Sequence, residues 1–203
     1  MRCEAEEQGP NHAAPGLGNG TAPGDAVVDI ESARQQVKRV CERLALLHLS
    51  YAEVIRKELG EKNGTALILE AIKQYGARIG TKARETAISL GYEATPDHYQ
   101  EDLPAYGMHE RLEFADVGGE KRMRAFGCAM GKVWAELHEQ TLGRLYCYVD
   151  IAKYMAYNPM FKLVHTKTLP DGDPYCEFAV RETIDQERKD FATTKGDWAY
   201  IDR

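Results

Sequence analysis

Apolar side chains recur at three- and four-residue steps over residues 29–90, and short alternating stretches follow them along the chain. The first spacing is typical of amphipathic helices and the alternation is typical of strands. Gly60 and the pair Asn63-Gly64 interrupt the helical stretch and indicate a short connection. The sequence therefore predicts two helices that pack as an antiparallel hairpin.

The first helix of this hairpin is predicted to begin after Asp29, a favourable N-cap, and to end at Gly60. Its apolar stripe is expected to face the core and comprises Val37, Val40, Cys41, Leu44, Leu47, His48, Tyr51, Val54 and Ile55. In the second helix, Gly76 and Gly80 lie four residues apart. Because glycine costs stability in a helix interior, this spacing indicates close contact with another helix.

Four alternating stretches predict strands over residues 111–117, 121–126, 160–168 and 175–182. Gly118-Gly119 and the run over 170–174 are turn-forming by composition. A helix is predicted over 129–140, stopped by Gly143, then a short strand over 145–149 and a helix over 150–157. The predicted fold class is α+β, an N-terminal helical hairpin followed by an antiparallel sheet flanked by helices.

The domain organisation follows from composition. The 203 residues, 43% hydrophobic and 29% charged, suit one globular domain. Residues 1–25, rich in Gly, Pro and Ala, predict a disordered arm. Residues 26–184 form the predicted single α+β domain, and residues 185–203 a C-terminal tail that docks through Trp198 and Tyr200.

Charge and hydropathy exclude several classes of function. The formal net charge of −6 and the absence of a basic run argue against nucleic-acid binding. No apolar run reaches transmembrane or signal-peptide length, so a cytoplasmic protein without a membrane partner is expected. The length of the apolar helix stripes predicts a homodimer through the N-terminal helices.

Three of the five cysteines fall at the edges of different predicted elements: Cys128 at a helix start, Cys147 before a helix and Cys176 on a strand. Their separations, 147 − 128 = 19 and 176 − 147 = 29 residues, differ from the spacing of zinc ribbons, so only tertiary folding could gather them. Unpaired N–H groups at the helix start are expected to lower the pKa of Cys128 and make it a nucleophile.

The segment from Cys128 to Cys176 resembles the conserved C-terminal part of the L-2-amino-thiazoline-4-carboxylic acid hydrolase family. The similarity rests on the order and spacing of Cys128, Cys147 with Asp150, Asn158-Pro159, the run from His165 to Leu169, Gly172-Asp173 and Cys176. His165 stands where the family motif has arginine. The resemblance implies a hydrolase acting on a carbon–nitrogen bond of a cyclic amidine, in which water adds at C2 of a thiazoline to give a carbamoyl-cysteine.

In a first hypothesis the chain is such a hydrolase, and its partner is a small-molecule substrate. Cys128 or Cys147 attacks the amidine carbon. Acid–base help is expected from one of His138, Asp150, His165 and Asp173. Lys167 is expected to hold the substrate carboxylate, with Asn158 and Asp173 in the same substrate site. Asn158 and Asp173 also have structural interpretations, as a helix end and a hairpin turn.

In a second hypothesis Cys128, Cys147 and Cys176 bind a metal, with His138, Glu136 or Asp150 as the fourth ligand. Three thiolates and one nitrogen or oxygen ligand suit zinc, and an iron–sulfur cluster is an alternative. In a third, the thiols are buried packing residues of a non-catalytic small-molecule-binding or sensor domain, similar to sensing domains of the 4-vinyl-reductase type. His138 is equally consistent with an ordinary core or surface histidine.

Overall fold

The computed structural model of the protein describes residues 27–100, 103–193 and 198–202. The described helices are α1 (Ile30–Ser89), α2 (Ala129–Glu136), α3 (Gln140–Cys147), α4 (Val149–Tyr157) and α5 (Asp185–Ala192). The described strands are β1 (Arg111–Val117), β2 (Glu120–Phe126), β3 (Phe161–Lys167) and β4 (Cys176–Glu182). Single turns of 3-10 helix cover Pro96–His98, Leu169–Asp171 and Ala199–Ile201. The arm predicted over residues 1–25 lies outside the described residues.

The helix α1 reverses direction at Gly60, whose φ of 76° and ψ of 168° are not helical. Glycine suits this position because it adopts positive φ without steric cost. A β-carbon on Gly64 would come within 2.7 Å of the Cα of Arg56, so the two arms of α1 leave the reversal in close contact. Asp29 caps the first arm by accepting a hydrogen bond from the Ser32 N–H at 2.9 Å. The predicted helical hairpin is confirmed.

The buried face of the first arm differs from the predicted stripe. Its buried side chains are Cys41, Ala45, Leu49 and Ala52, whereas Val40, Leu47, Tyr51 and Val54 are exposed. Small side chains on the inner face allow helices to approach closely, and the larger apolar residues are consequently turned outward. The predicted stripe is therefore wrong in part, and the homodimer through these helices stays a prediction.

The four strands form an antiparallel sheet in the order β1-β2-β4-β3. Gly118 and Gly119 have positive φ and make the tight turn between β1 and β2, as the sequence predicted. One face of the sheet contributes Cys176 and Phe178 to a buried cluster, and Glu177 lies on the opposite face because side chains alternate along a strand. Strands, hairpin and flanking helices confirm the α+β prediction.

The helix α4 lies between the hairpin and the sheet. A β-carbon on Gly76 would come within 2.5 Å of the Ala152 Cβ, so α1 and α4 touch almost backbone to backbone. Gly80 makes a similar approach one turn later. The predicted helix contact at these two glycines is confirmed, and it holds α4 close to the second arm of α1.

Two local predictions were wrong. The short strand predicted over 145–149 is helical, because α3 continues to Cys147 and α4 begins at Val149. Gly143, predicted to stop a helix, lies inside α3, where a β-carbon would come within 2.2 Å of the Trp134 ring. The break falls earlier, at His138, which adopts a left-handed φ of 59° between α2 and α3.

The tail over residues 185–203 begins with helix α5, which the sequence did not predict. Trp198 and Ile201 are buried with Ile151 and Met155 of α4, so the described end of the chain packs on that helix. None of the helices in residues 27–100, 103–193 and 198–202 carries an apolar stretch long enough to cross a membrane.

Candidate functional site

Three cysteines line one cavity, of about 100 Å³, between the helical hairpin, α4 and the sheet. Cys128 comes from the start of α2, Cys147 from the end of α3 and Cys176 from the start of β4. Most of the remaining wall is apolar and includes Met108, Met123, Met130, Trp134, Leu163 and Phe178. Folding thus gathers the three sulfurs around a common space.

A cluster of charged side chains forms the polar part of the wall. Asp150 lies in the first turn of α4 and Lys153 lies three residues later on the same face. The Lys153 Nζ is 2.8 Å from the Asp150 Oδ1, and the Nε2 of His165 on β3 is 3.3 Å from the Asp150 Oδ2. Asp150 therefore accepts from both a lysine and a histidine.

The charge state of Asp150 is set by these neighbours. Burial alone would raise the pKa of Asp150, but the Lys153 ammonium and the hydrogen bond from His165 outweigh it and hold that pKa well below its usual range. The cavity therefore contains an ionised carboxylate at neutral pH.

His165 is held between two carboxylates. Its Nδ1 lies 3.0 Å from the Oδ1 of Asp202, on the opposite side of the ring from Asp150. Burial alone would lower the pKa of His165, but the hydrogen bonds with Asp150 and Asp202 raise it above its ordinary value. No motif or spacing in the sequence pointed to Asp202, an isolated acid in a polar tail.

A second histidine, His109, lines the cavity from the irregular segment before β1. Burial lowers the pKa of His109, and Asp150 opposes this shift only in part, so the imidazole is neutral at pH 7. Sequence reasoning missed His109 because it belongs to no motif and no periodic element.

The thiols are less acidic than predicted. Cys128 does occupy the N-cap position of α2, and the N–H groups of Met130 and Gly131 favour its thiolate, but burial outweighs them and raises its pKa. Burial also raises the pKa of Cys147 well above its ordinary value and that of Cys176 to about 11. The expected lowering at Cys128 is wrong, because the helix start that supplies the N–H donors lies in an apolar cavity.

The other predicted substrate-binding residues do not line the cavity. Lys167 donates from Nζ to the Tyr175 hydroxyl at 3.0 Å. Asn158 donates from Nδ2 to the Ala94 carbonyl at 2.7 Å, and Asp173 accepts from the backbone N–H of Thr168 at 2.9 Å. Asn158 and Asp173 thus make the helix-end and turn contacts of their structural interpretations.

The predicted metal ligands divide in the same way. Cys128, Cys147 and Cys176 meet at the cavity, but His138 and Glu136 are exposed and belong to no part of its wall. Within the described residues, no group of three or more His, Cys, Asp and Glu side chains is arranged to hold a metal ion. The predicted zinc ion or iron–sulfur cluster therefore gains no support from the described residues and stays a prediction.

No curated protein and no solved structure matches the chain. The sequence model of the L-2-amino-thiazoline-4-carboxylic acid hydrolase family, however, matches residues 38–180. The matched region is well over half of the chain and includes every side chain that lines the cavity, from Tyr75 to Phe178. The chain therefore belongs to the L-2-amino-thiazoline-4-carboxylic acid hydrolase family.

Proposed function

We propose that this protein is a hydrolase that opens the ring of a small cyclic amidine in the cysteine-lined cavity. The observation that carries the proposal is the convergence of three thiols, an ionised carboxylate and a neutral imidazole on one cavity. Protein cavities of comparable volume hold a single small ring. The family assignment supplies the class of substrate, a 2-amino-thiazoline carboxylate.

Asp150 is the proposed anchor for the amidine. A protonated amidine carries two parallel N–H donors, which match the two oxygens of a carboxylate. Lys153 contacts the Oδ1 of Asp150 and His165 contacts the Oδ2, and a carboxylate oxygen has two lone pairs. The two cations beside Asp150 favour a substrate that also carries a carboxylate.

Cys128 is the proposed nucleophile. The N–H groups of Met130 and Gly131 at the start of α2 favour its thiolate, which develops as the sulfur attacks. Because burial keeps the resting group protonated, a base must remove the proton during attack. His109, neutral and in the same cavity, is the proposed base.

The proposed reaction consumes one water molecule. The Cys128 sulfur bonds to C2, its proton passes to His109, and the C=N π electrons move to nitrogen. The exocyclic nitrogen then supplies its lone pair to C2, the bond between C2 and the ring nitrogen breaks, and that nitrogen leaves with the proton from His109. Water next adds to C2 with loss of a proton to His109, the carbon–sulfur bond to Cys128 breaks as the carbonyl forms, and the departing sulfur takes this second proton from His109. The products are a carbamoyl compound and the restored thiol.

A second candidate function is non-catalytic binding of a small molecule. The raised pKa values of all three cavity thiols favour it, since buried protonated thiols are poor nucleophiles. In that case Asp150 would bind the same cationic ring without any bond being broken. Stabilisation of the protein by the ligand, with no product formed, distinguishes binding from hydrolysis.

The test is a ring-opening assay with 2-amino-thiazoline-4-carboxylate, in which chromatography and mass spectrometry follow the carbamoyl product. Cys128→Ser is expected to lose turnover by roughly 100-fold or more. Cys41→Ser is the matched control, because Cys41 is buried in α1 and does not line the cavity.

The possible outcomes separate the parts of the proposal. Full activity in Cys128→Ser together with reduced activity in Cys147→Ser would identify Cys147 as the nucleophile. Full activity in both would remove the covalent mechanism and leave hydrolysis by direct attack of water. If the wild-type protein forms no product but is thermally stabilised by the substrate, the hydrolase function is contradicted and the binding function is supported.

A further inference from the structure

We infer that Asp202 is a positioning residue, which holds the His165 imidazole in its doubly protonated form with Nε2 directed at Asp150. The described end of the chain, Trp198 to Asp202, is then part of the site although it lies outside the region matched by the family. The inference deepens the proposed function and rests on it only for its kinetic consequence.

Asp202 contacts His165 at two of its atoms, the backbone nitrogen and the ring Nδ1. Its Oδ1 accepts a hydrogen bond from the His165 backbone N–H at 2.7 Å and lies 3.0 Å from the Nδ1 of the ring. The two side chains are almost fully buried, with 2% of His165 and 3% of Asp202 exposed. Bonds to both the backbone and the ring leave the imidazole little freedom to turn.

The other ring nitrogen of His165, Nε2, faces a second carboxylate. Nε2 lies 3.3 Å from the Asp150 Oδ2, so each ring nitrogen faces a carboxylate. An ionised carboxylate only accepts hydrogen bonds, and therefore both nitrogens must carry a hydrogen. The ring also has an apolar neighbour, since the Phe178 ring lies 4.9 Å away between centroids.

Asp202 is itself held in place. Arg144 forms an ion pair with it through Nη2, and the Arg144 guanidinium lies 4.6 Å from the centre of the Tyr148 ring. Trp198 and Ile201, on the same segment, are buried against α4. The Asp202 carboxylate is thus held in place both by Arg144 and by the packing of its own segment on α4.

These contacts create a row of alternating charges that reaches the cavity. Arg144, Asp202, His165, Asp150 and Lys153 follow one another, each in contact with the next. Loss of the Asp202 charge would leave His165 with one carboxylate and weaken its hold on the second proton. The orientation and charge of the group beside Asp150 would then change together.

The test compares two partners of Arg144. Asp202→Asn keeps the shape of the side chain but removes its charge. Asp171→Asn is the matched control, because Asp171 contacts the Nε of Arg144 at 3.2 Å, is 57% exposed and does not touch His165. The protein is labelled with ¹⁵N-histidine, the His165 ring signals are assigned with His165→Gln, and their pH titration is followed by NMR.

In the wild-type protein at pH 7, both ring nitrogens of His165 are expected to show the shifts of an imidazolium. Asp202→Asn is expected to move the titration to lower pH, whereas Asp171→Asn leaves it unchanged. A neutral His165 in the wild-type protein, or superimposable titrations of wild type and Asp202→Asn, would overturn the inference. A neutral His165 in the wild-type spectrum would overturn the inference even if Asp202→Asn does not fold.

The kinetic arm separates positioning from general stability. Asp202→Asn is expected to lower kcat roughly 10- to 100-fold, with a smaller change in KM, as is typical when a partner behind a site residue is lost. Asp171→Asn should retain wild-type kinetics. An unchanged kcat in a variant with a shifted titration would overturn the positioning role. If the wild-type protein has no turnover, the proposed function fails while the NMR result stands.

Discussion

The backbone carbonyl oxygen of Lys153 lies so close to Gly80 that a β-carbon on residue 80 would come within 2.0 Å of it. This contact joins the second arm of α1 to the part of α4 that carries the charged cluster. The position of Asp150 and Lys153 in the cavity therefore depends on a glycine that lies outside the cavity wall.

Gly80→Ala is expected to destabilise the protein by about 1–3 kcal/mol, because the added methyl group meets immobile backbone. Helix propensity alone would predict the opposite sign, since alanine is favoured over glycine by about 1 kcal/mol in a helix. Denaturant unfolding measures the change. Ser50→Ala, exposed on the first arm of α1, is the control and should change stability little. A stabilised Gly80→Ala variant would contradict the close approach.

On the outer face of the sheet, Glu177 is 1% exposed and binds Arg122 at 2.8 Å and Arg124 at 2.7 Å. Burial opposes ionisation, but the hydrogen bonds from the two arginines lower the pKa of Glu177 from 4.5 to about 2. A lowered carboxyl pKa stabilises the fold above pH 4.5, and the contribution is lost as the pH falls towards 2.

Glu177→Gln is therefore expected to cost on the order of 2–3 kcal/mol at pH 7 and much less near pH 3. Thermal unfolding at the two pH values measures the difference. Glu113→Gln provides the control, because its ion pair with Arg111 is largely exposed and should contribute little at either pH. Equal losses for Glu177→Gln at both pH values would show that charge is not the source of the effect.

The cavity cysteines are expected to react slowly with iodoacetamide in the native protein at pH 7, because burial raises the pKa values of Cys128, Cys147 and Cys176. Labelling should accelerate steeply above pH 9 and on unfolding at any pH. Peptide mapping by mass spectrometry identifies the site of each label. Rapid labelling of Cys128 at neutral pH would contradict this prediction. It would instead support the activated thiolate that the position of Cys128 at a helix start predicts.

The proposed turnover should decline on the acid side as the lowered pKa of His109 is crossed, because protonated His109 cannot accept the Cys128 proton. His109→Gln should lose roughly 100-fold in kcat and also lose this acid limb. The pH dependence of kcat measures both effects. His138→Asn, at an exposed left-handed position outside the cavity, should keep the wild-type profile. An unaltered acid limb in His109→Gln would assign the base to another group.

The hairpin and the sheet could be predicted because their signals are local. Gly60 marks the reversal, and alternation marks the strands that pair in register. The rotation of α1 could not be predicted, since its buried face depends on how Ala45 and Ala52 pack in a core cluster that also contains Trp134 of α2. The same limit explains α3, whose Gly143 is fixed by contact with Trp134 rather than by its own preference for a helix end.

The candidate site was predictable only where the sequence repeats a recognisable order. Cys128, Cys147, Cys176, Asp150 and His165 could be selected because the order and spacing of the segment that holds them resemble the family. His109 and Asp202 carry no such signal, because each reaches the site only through tertiary folding. The acidity of the thiols was misjudged for a related reason, since burial cannot be read from neighbouring residues.

The reversal at Gly60 also bears on how the molecule assembles. Its two arms meet through residues close together in the chain, such as Arg56 and Gly64, whereas β2 finds β4 only across about fifty intervening residues. Contacts between sequence neighbours form with less loss of chain entropy, so the hairpin can act as an early folding unit. The cavity lined by the three cysteines would then form late in folding, when the sheet packs on a hairpin that is already in place.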